Sequence, residues 1–123
     1  SLEVTRSRLL EPVDCPPARL ALFDGKPAGV LSFRRFRRGT EHPPSLFIDA
    51  LYVIESLRGR GIGSALLADS IGRAHAFSSD LFVYTDKRDW YEKRGWTVTE
   101  SRPGAASVVL VLSATPGSPG EGR

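Results

Sequence analysis

The sequence predicts an α/β (α+β) domain in which a mixed, largely antiparallel sheet packs around one central helix. Residues 46–54 are rich in β-branched and aromatic side chains, which is typical of a strand. Further along, Leu67, Ile71 and Ala74 repeat at helical spacing. A glycine-rich turn at residues 58–64 separates these two segments. The helix therefore follows the turn directly and is expected to bury its apolar stripe against the sheet.

The remaining predicted elements are mostly strands. Asp24-Gly25 is a hairpin signal within a predicted turn over residues 24–27. Because the central helix joins residues 46–54 to the next strand, these two strands are predicted to be parallel. Gly95 suits the left-handed cap of a short helix. The other predicted segments are strands at 19–23, 28–36, 81–85, 96–100 and 107–113, a loop at 38–44, a central helix reaching about residue 77, a short helix at 89–94 and a turn at 102–104.

The length and composition of the chain are typical of a single globular domain. It has 123 residues, of which 41% are hydrophobic and 25% charged. We assign the domain to residues 1–115 and predict a flexible tail at 116–123, where proline and glycine prevail. No apolar run is long enough to cross a membrane, no secretory signal opens the chain, and the single cysteine, Cys15, has no neighbouring histidine to activate it. These features favour a cytoplasmic protein without a membrane partner, in which Cys15 is a small apolar side chain.

The formal net charge of +3 would attract an anionic ligand. Much of the excess lies at residues 33–38, where arginines alternate with phenylalanines. Such a pattern can bind nucleic acid, with aromatic rings stacking on bases and arginines pairing with phosphates. The favoured interpretation is a strand end whose phenylalanines face the core while its arginines are solvated. The residues concerned are Phe33, Arg34, Arg35, Phe36, Arg37 and Arg38.

The glycine-rich turn is the strongest candidate for a binding site. Glycines allow the backbone to approach a ligand closely, and the start of the following helix adds partial positive charge, so a phosphate or pyrophosphate fits there. No lysine follows the glycines as a Walker A loop requires, and Ser64 stands where a dinucleotide fingerprint has its third glycine. The candidate binding residues are Arg58, Gly59, Arg60, Gly61, Ile62, Gly63 and Ser64.

The register that does fit is R-x-x-G-x-G, given by Arg58, Gly61 and Gly63. It resembles the acetyl-CoA loop of the GCN5-related N-acetyltransferases (GNAT). Residues 90–96, Trp-Tyr-Glu-Lys-Arg-Gly-Trp, look like a second recurrent segment of that family. The two motifs occur in the family's order, and the resemblance extends over residues 19–112.

This resemblance implies acetyl-CoA as cosubstrate. The backbone N–H groups of residues 60–64 would hold the pyrophosphate with help from Arg58, and the pantetheine arm would pair with main chain at Leu51, Tyr52 and Val53. Tyr91 would be the general acid, since a phenol with an unperturbed pKa of about 10 stays protonated at neutral pH. Glu92, Lys93 and Arg94 look like the solvated face of the short helix. The family's usual Asn after the fifth strand is missing, and Tyr84, Thr85 and Asp86 stand there instead.

The general base has several candidates. Asp49 lies on the strand before the loop, where family members often carry a carboxylate. Burial in that apolar strand would raise its affinity for protons, and the alternative is a carboxylate that faces solvent at a sheet edge. Glu41 and His42 in the preceding loop are the other candidates, whereas His75 is expected to be structural. No cluster of residues at metal-ligand spacing is present in the sequence, so we expect no metal.

The acceptor side is expected to be reduced. The family normally places two helices between its first strand and the hairpin, but only residues 7–17 are available here, and their prolines oppose a long helix. Either the acceptor side is open, or the chain is part of a longer domain. The expected reaction is direct transfer of acetyl from acetyl-CoA to a primary amine, first of a small molecule and alternatively of a protein N-terminus or lysine. A catalytically silent acyl-CoA sensor and a basic nucleic-acid adaptor are the competing classes, and homodimer formation stays open.

Overall fold

A seven-stranded mixed sheet forms the frame of the protein. The computed structural model describes residues 1–7, 14–40 and 43–114, so Glu41, His42 and the tail predicted at 116–123 lie outside the described residues. The strand order is β1-β2-β3-β4-β5-β7-β6. The elements are β1 Leu2–Arg6, β2 Arg19–Phe23, β3 Lys26–Phe36, β4 Ser45–Val53, a short 3-10 turn Glu55–Leu57, α1 Ile62–His75, β5 Asp80–Thr85, α2 Arg88–Glu92, β6 Thr97–Glu100 and β7 Val108–Ser113. This is the α+β architecture that the sequence predicts.

The predicted hairpin joins β2 to β3. Asp24 and Gly25 both have positive φ, at 52° and 81°, which is the conformation of a two-residue type I′ turn. The turn is shorter than predicted, because Lys26 and Pro27 already pair with β2 as the first residues of β3. Outside this hairpin, β1 pairs antiparallel with β2 and has no counterpart among the segments that the sequence analysis assigns. Of residues 7–17, the described ones form no helix.

The parallel pair at the centre of the sheet decides where a site can form. β4 and β5 are parallel, as predicted, but their register covers only the pairs from Leu46 with Leu81 to Ile48 with Val83. Beyond Ile48, β4 continues beside β3 as far as Val53, and β5 continues beside β7 as far as Thr85. The two strands therefore separate, and a gap opens in the middle of the sheet at their C-terminal ends.

Helix α1 covers one face of the sheet beside this gap. Its buried residues are Ile62, Leu66, Leu67, Ser70 and Ala74. Gly29 on β3 allows the close approach, because a Cβ there would lie 2.8 Å from the Tyr52 carbonyl oxygen and 3.1 Å from Leu66. Burial of each large apolar side chain contributes about 2 kcal/mol to folding, so this packing holds the beginning of α1 firmly beside the sheet.

Near the ends of α2 and β3, some of the sequence predictions are confirmed and one is wrong. Gly95 has a φ of 93° just after α2 and so takes the predicted left-handed conformation. Phe33 faces the core as expected, at 8% exposure, whereas the same expectation for Phe36 is wrong. Phe36 is the last residue of β3 and is 48% exposed.

Among the described residues, no helix has the length and apolarity required to span a bilayer.

Candidate active site

A cavity of about 800 Å³ occupies the gap between the separated strands. Every residue that the sequence assigns to cofactor binding lines it, with the exception of Arg60, and both candidate catalytic residues, Asp49 and Tyr91, line it as well. The guanidinium of Arg60 lies 5.5 Å from the centre of the Phe23 ring, so its side chain is directed elsewhere. The tertiary structure thus brings the two sequence motifs to one place.

The glycine-rich turn presents backbone donors to this cavity. Gly61, with a φ of 80°, is the N-terminal cap of α1, and the first hydrogen bond runs from the Ala65 N–H to the Gly61 carbonyl oxygen at 3.0 Å. The amides of Ile62, Gly63 and Ser64 therefore have no acceptor within the helix. No acidic side chain stands in the first turn of α1. Free N–H groups and the positive end of a helix dipole together suit an anionic phosphate group.

Arg58 is held against the end of β4. Its Nε donates to the Val53 carbonyl oxygen at 2.8 Å, and its guanidinium lies 5.3 Å from the centre of the Tyr52 ring. These contacts engage one of the guanidinium nitrogens and leave the charge at the rim of the cavity. Arg58 can thus add positive charge beside the helix end without being buried.

The free edge of β4 offers main-chain groups to an extended ligand. The Ile54 N–H donates to the Ala28 carbonyl oxygen at 2.8 Å, so the main chain of Ile54 is directed toward β3. Because strand residues alternate in direction, Val53 and Leu51 direct their amides and carbonyls toward the gap, while Tyr52 directs its own toward β3. The Val53 carbonyl oxygen already accepts from Arg58, so an added strand can pair with Leu51 and with the Val53 amide, and Tyr52 contributes its ring instead.

Tyr91 lies deep in the wall of the cavity, at 4% exposure. Its ring makes edge contacts with Trp90 and Trp96, with ring centres 4.9 and 5.2 Å away. This burial raises the pKa of Tyr91 to about 12, against a smaller lowering effect of the nearby Arg94 charge. The phenol is consequently protonated throughout the neutral and mildly alkaline range and can act as a proton donor.

Asp49 is at the junction of the gap and the solvent. Its side chain is 48% exposed and lies 3.7 Å from Nη1 of Arg34, in an exposed ion pair. The interpretation of Asp49 as a buried carboxylate is therefore wrong, because the separation of β4 from β5 opens that part of the strand to water. Its position on the cavity wall still allows it to reach a bound amine through water.

Arg94 is a residue of the cavity that sequence analysis assigned to the solvated face. Although exposed, it donates from Nη2 to Ser64 Oγ at 2.9 Å and from Nη1 to the Trp90 carbonyl oxygen at 2.8 Å. Its guanidinium also stacks 3.8 Å from the Trp90 ring centre. Arg94 therefore ties α2 to the first turn of α1. The spacing of Trp90 and Arg94, four residues apart within the helix predicted at 89–94, is the signal that could have indicated the contact, although α2 itself ends at Glu92.

A second cavity of about 1040 Å³ adjoins the first. Both cavities are lined by Ile48, Asp49 and Tyr84, so they meet where β4 and β5 separate. The second cavity extends from there between β3 and the β6–β7 connection. Tyr84 and Thr85, which replace the expected Asn, also line the first cavity. Thr85 Oγ accepts the Lys87 N–H at 3.0 Å and so shapes the turn before α2.

Other candidate residues have structural contacts. The thiol of Cys15 is buried and donates to the Phe33 carbonyl oxygen at 3.7 Å, and burial raises its pKa, so it is a poor nucleophile. A ring nitrogen of His75 lies 3.1 Å from the Leu112 carbonyl oxygen and connects α1 with β7. The sequence analysis expects Arg35 to be solvated. Its guanidinium instead donates to two main-chain carbonyl oxygens. Within the described ranges, no three His, Cys, Asp or Glu side chains are grouped for a metal ion.

Comparison with known proteins gives one family. A sequence model described as the acetyltransferase (GNAT) family matches residues 4–96. No curated protein matches the sequence.

Solved structures share the fold. A GNAT family acetyltransferase from Elizabethkingia anophelis with acetyl-CoA bound has a TM-score of 0.69 at 16% identity, over 91% of this chain and 97% of its own. Arabidopsis thaliana Naa50 in complex with the bisubstrate analogue CoA-Ac-MVNAL has a TM-score of 0.66 at 18% identity, over 92% and 99% of the two chains. N-acetylglutamate synthase from Neisseria gonorrhoeae, complexed with coenzyme A and N-acetyl-glutamate, has a TM-score of 0.64 at 22% identity. This match covers 80% of the present chain but only 26% of the synthase.

Proposed function

Because the chain belongs to the GNAT acetyltransferase family, we propose that it transfers an acetyl group from acetyl-CoA to a primary amine. The observation that supports this most is the convergence of the glycine-rich helix start, the free edge of β4 and the buried phenol of Tyr91 on one cavity. The helix start suits a pyrophosphate, the strand edge suits a chain of amides, and the phenol is a proton donor. Acetyl-CoA is the donor molecule that carries all three matching groups.

The cosubstrate would be held by main chain more than by side chains. The amides of Ile62, Gly63 and Ser64 would donate to the pyrophosphate, with the charge of Arg58 beside them. The pantetheine amides would pair with Leu51 and Val53 along the free edge of β4. This placement directs the thioester toward the junction of the two cavities, where β4 and β5 separate.

The reaction would proceed in a ternary complex without an acetyl-enzyme. Asp49 would remove a proton from the acceptor ammonium through water, and the free amine would attack the thioester carbonyl carbon. As the tetrahedral intermediate collapses, the C–S bond breaks and Tyr91 donates its proton to the departing thiolate. The proton lost by the amine nitrogen then restores the phenol through solvent. The buried, poorly ionised Cys15 supports this direct route, because the described residues offer no activated thiol in either cavity.

The reaction is tested with purified protein, acetyl-CoA and a panel of small primary amines and short peptides. We expect coenzyme A thiol to be released only when an amine is present, together with an acetylated product in the mass spectrum. Coenzyme A binding by calorimetry without turnover of any amine would instead establish the acyl-CoA sensor. If the protein neither binds coenzyme A nor acetylates any amine, the whole proposal is contradicted.

The role of Asp49 is tested by Asp49→Asn. If Asp49 is the base, kcat should fall by about 10²–10⁴-fold at neutral pH, and part of the loss should be recovered at alkaline pH, where the free amine is abundant. Arg34→Gln is the matched variant, because it removes the ion-pair partner and leaves the carboxylate. An unchanged kcat in Asp49→Asn would exclude this residue as the base.

A small-molecule amine is our first choice of acceptor. A peptide amine is the second candidate, and the likeness to Naa50 bound to a peptide analogue over 92% of this chain favours it. The second cavity offers an open surface on which either could lie. The alternative of nucleic-acid binding is less favoured, because Arg34, Arg35 and Arg38 are engaged by groups of the protein itself.

A further inference from the structure

We infer that the acceptor amine carries a carboxylate and that Arg102 binds it in the second cavity. This inference rests on the proposed acetyl transfer and adds the chemical class of the acceptor. It follows from how charge is distributed on the walls of that cavity.

The walls of the second cavity carry more positive than negative groups. Among the described residues, three guanidiniums line it against two carboxylates, and four of these five groups are already paired. Arg38 lies 2.6 Å from Glu100, and Arg34 lies 3.7 Å from Asp49. The charges of these pairs cancel, so the net charge of the walls equals that of the fifth group, Arg102.

Arg102 is exposed on the connection between β6 and β7. Its main-chain carbonyl accepts the Ala105 N–H, but among residues 1–7, 14–40 and 43–114 its guanidinium has neither a hydrogen-bond nor an ion-pair partner. A guanidinium is a planar fork of donors that matches the two oxygens of a carboxylate. Its place on a cavity wall makes it a binding group for an anion.

The two ends of the cavity have opposite character. Asp49 lies where the second cavity meets the first, so the amine of an acceptor would be drawn there, next to the thioester. Arg102 lies on the β6–β7 side. Phe36 and Phe47 add apolar surface on the β3–β4 side, and Tyr84 on β5 and Val109 on β7 line the cavity between there and the β6–β7 connection. A molecule with an ammonium group, an apolar spacer and a carboxylate matches this order.

The loose pairing of Arg34 with Asp49 agrees with such a ligand. At 3.7 Å the contact is longer than a hydrogen bond, and both side chains are about half exposed. An incoming ammonium can therefore replace Arg34 beside Asp49 at little cost.

The test compares ω-amino acids of increasing chain length with their carboxamides, which keep the amine and lose the negative charge. For the wild type we expect kcat/KM to favour the acid by about 10-fold to 100-fold at the best chain length, the range that a charge-assisted hydrogen bond supplies. In Arg102→Gln the preference should fall about tenfold, through slower turnover of the acid, while kcat/KM for the carboxamide stays within about twofold. Arg73→Gln, which removes an equal charge from an exposed position on α1, should keep the wild-type preference.

Calorimetric titration with the N-acetylated acids and their amides gives a second readout that does not need turnover. Acids should bind more tightly than amides in the wild type and equally in Arg102→Gln. Equal kcat/KM and equal binding for acids and amides at every length would overturn the inference while leaving acetyl transfer in place. An acid preference as large in Arg102→Gln as in the wild type would overturn the assignment to this residue. If no amine is acetylated, the proposed function fails, and the titrations alone decide whether the cavity binds carboxylates.

Discussion

Replacement of Tyr91 by Phe tests both the proposed chemistry and the environment that the structure gives to this side chain. The substitution removes one hydroxyl and keeps the ring that packs against Trp90 and Trp96. If the phenol protonates the leaving thiolate, kcat should fall by about 10²–10⁴-fold, and KM for acetyl-CoA should change little. Continuous detection of released coenzyme A thiol measures both constants.

The pH dependence follows from the raised pKa of Tyr91. The phenol is protonated up to about pH 12 instead of 10.0, so the wild-type kcat should not decline through loss of this proton between pH 9 and 10.5. The difference of about two between the pKa of Tyr91 in the folded and unfolded chain corresponds to about 3 kcal/mol of preference of the folded state for the neutral phenol. The unfolded chain releases this proton near pH 10 and the folded chain near 12, so the contribution is complete below pH 10 and is lost as pH rises to 12.

Denaturant unfolding of wild type and Tyr91→Phe at pH 9 and pH 11.5 measures this contribution. The wild type should lose about 2 kcal/mol more stability than the variant over that interval, since the loss is not complete at pH 11.5. Tyr84→Phe is the matched variant, because Tyr84 is the more exposed tyrosine on the same cavity. If Tyr84→Phe showed the kcat loss that is expected for Tyr91→Phe, and Tyr91→Phe kept the wild-type kcat, the assignment of Tyr91 as the acid would be refuted.

Two further predictions concern the framework around the cavity. Arg94→Gln removes the contact between α2 and Ser64, so KM for acetyl-CoA should rise about tenfold in steady-state kinetics. The pKa of Tyr91 should also rise further in an alkaline absorbance titration, because the Arg94 charge lowers it. An unchanged KM would exclude Arg94 from the cosubstrate site. Gly29→Ala should lower the free energy of unfolding by about 1–3 kcal/mol, because its Cβ would lie 2.8 Å from a carbonyl oxygen. Gly72→Ala, in open space on α1, should raise it by about 0.5–1 kcal/mol, and equal effects of the two alanines in chemical denaturation would contradict the packing argument.

Local signals explain why the order of most elements, and the glycine-rich turn that begins α1, could be predicted. Asp24-Gly25 specifies a two-residue turn through the backbone conformations that these residues adopt, and Gly95 does the same at the end of α2. Strand β1 has no counterpart in the sequence predictions, although residues 2–5 alternate between apolar and polar side chains as a half-buried strand does; its pairing comes from β2 at the edge of the sheet.

The sequence left both a buried and a solvent-facing Asp49 open, since the exposure of this carboxylate depends on neighbours distant in sequence. An Asp in an apolar segment indicates a buried carboxylate as long as the strand is assumed to have partners on both sides. The β4–β5 register ends at Ile48, one residue before Asp49. The contact between Arg94 and Ser64 is similarly remote, because it joins residues 30 positions apart.

The sequence alone determined most of the elements and pointed to a glycine-rich turn as an anion site and to Tyr91 as a proton donor, because glycine conformation, helix periodicity and side-chain chemistry are properties of short segments. The tertiary structure decided that β4 separates from β5, that two cavities meet at Asp49 and that Arg102 lines the second one. Those features depend on which strand edges find partners, and the pairing of strands is settled by the packing of the whole sheet against α1.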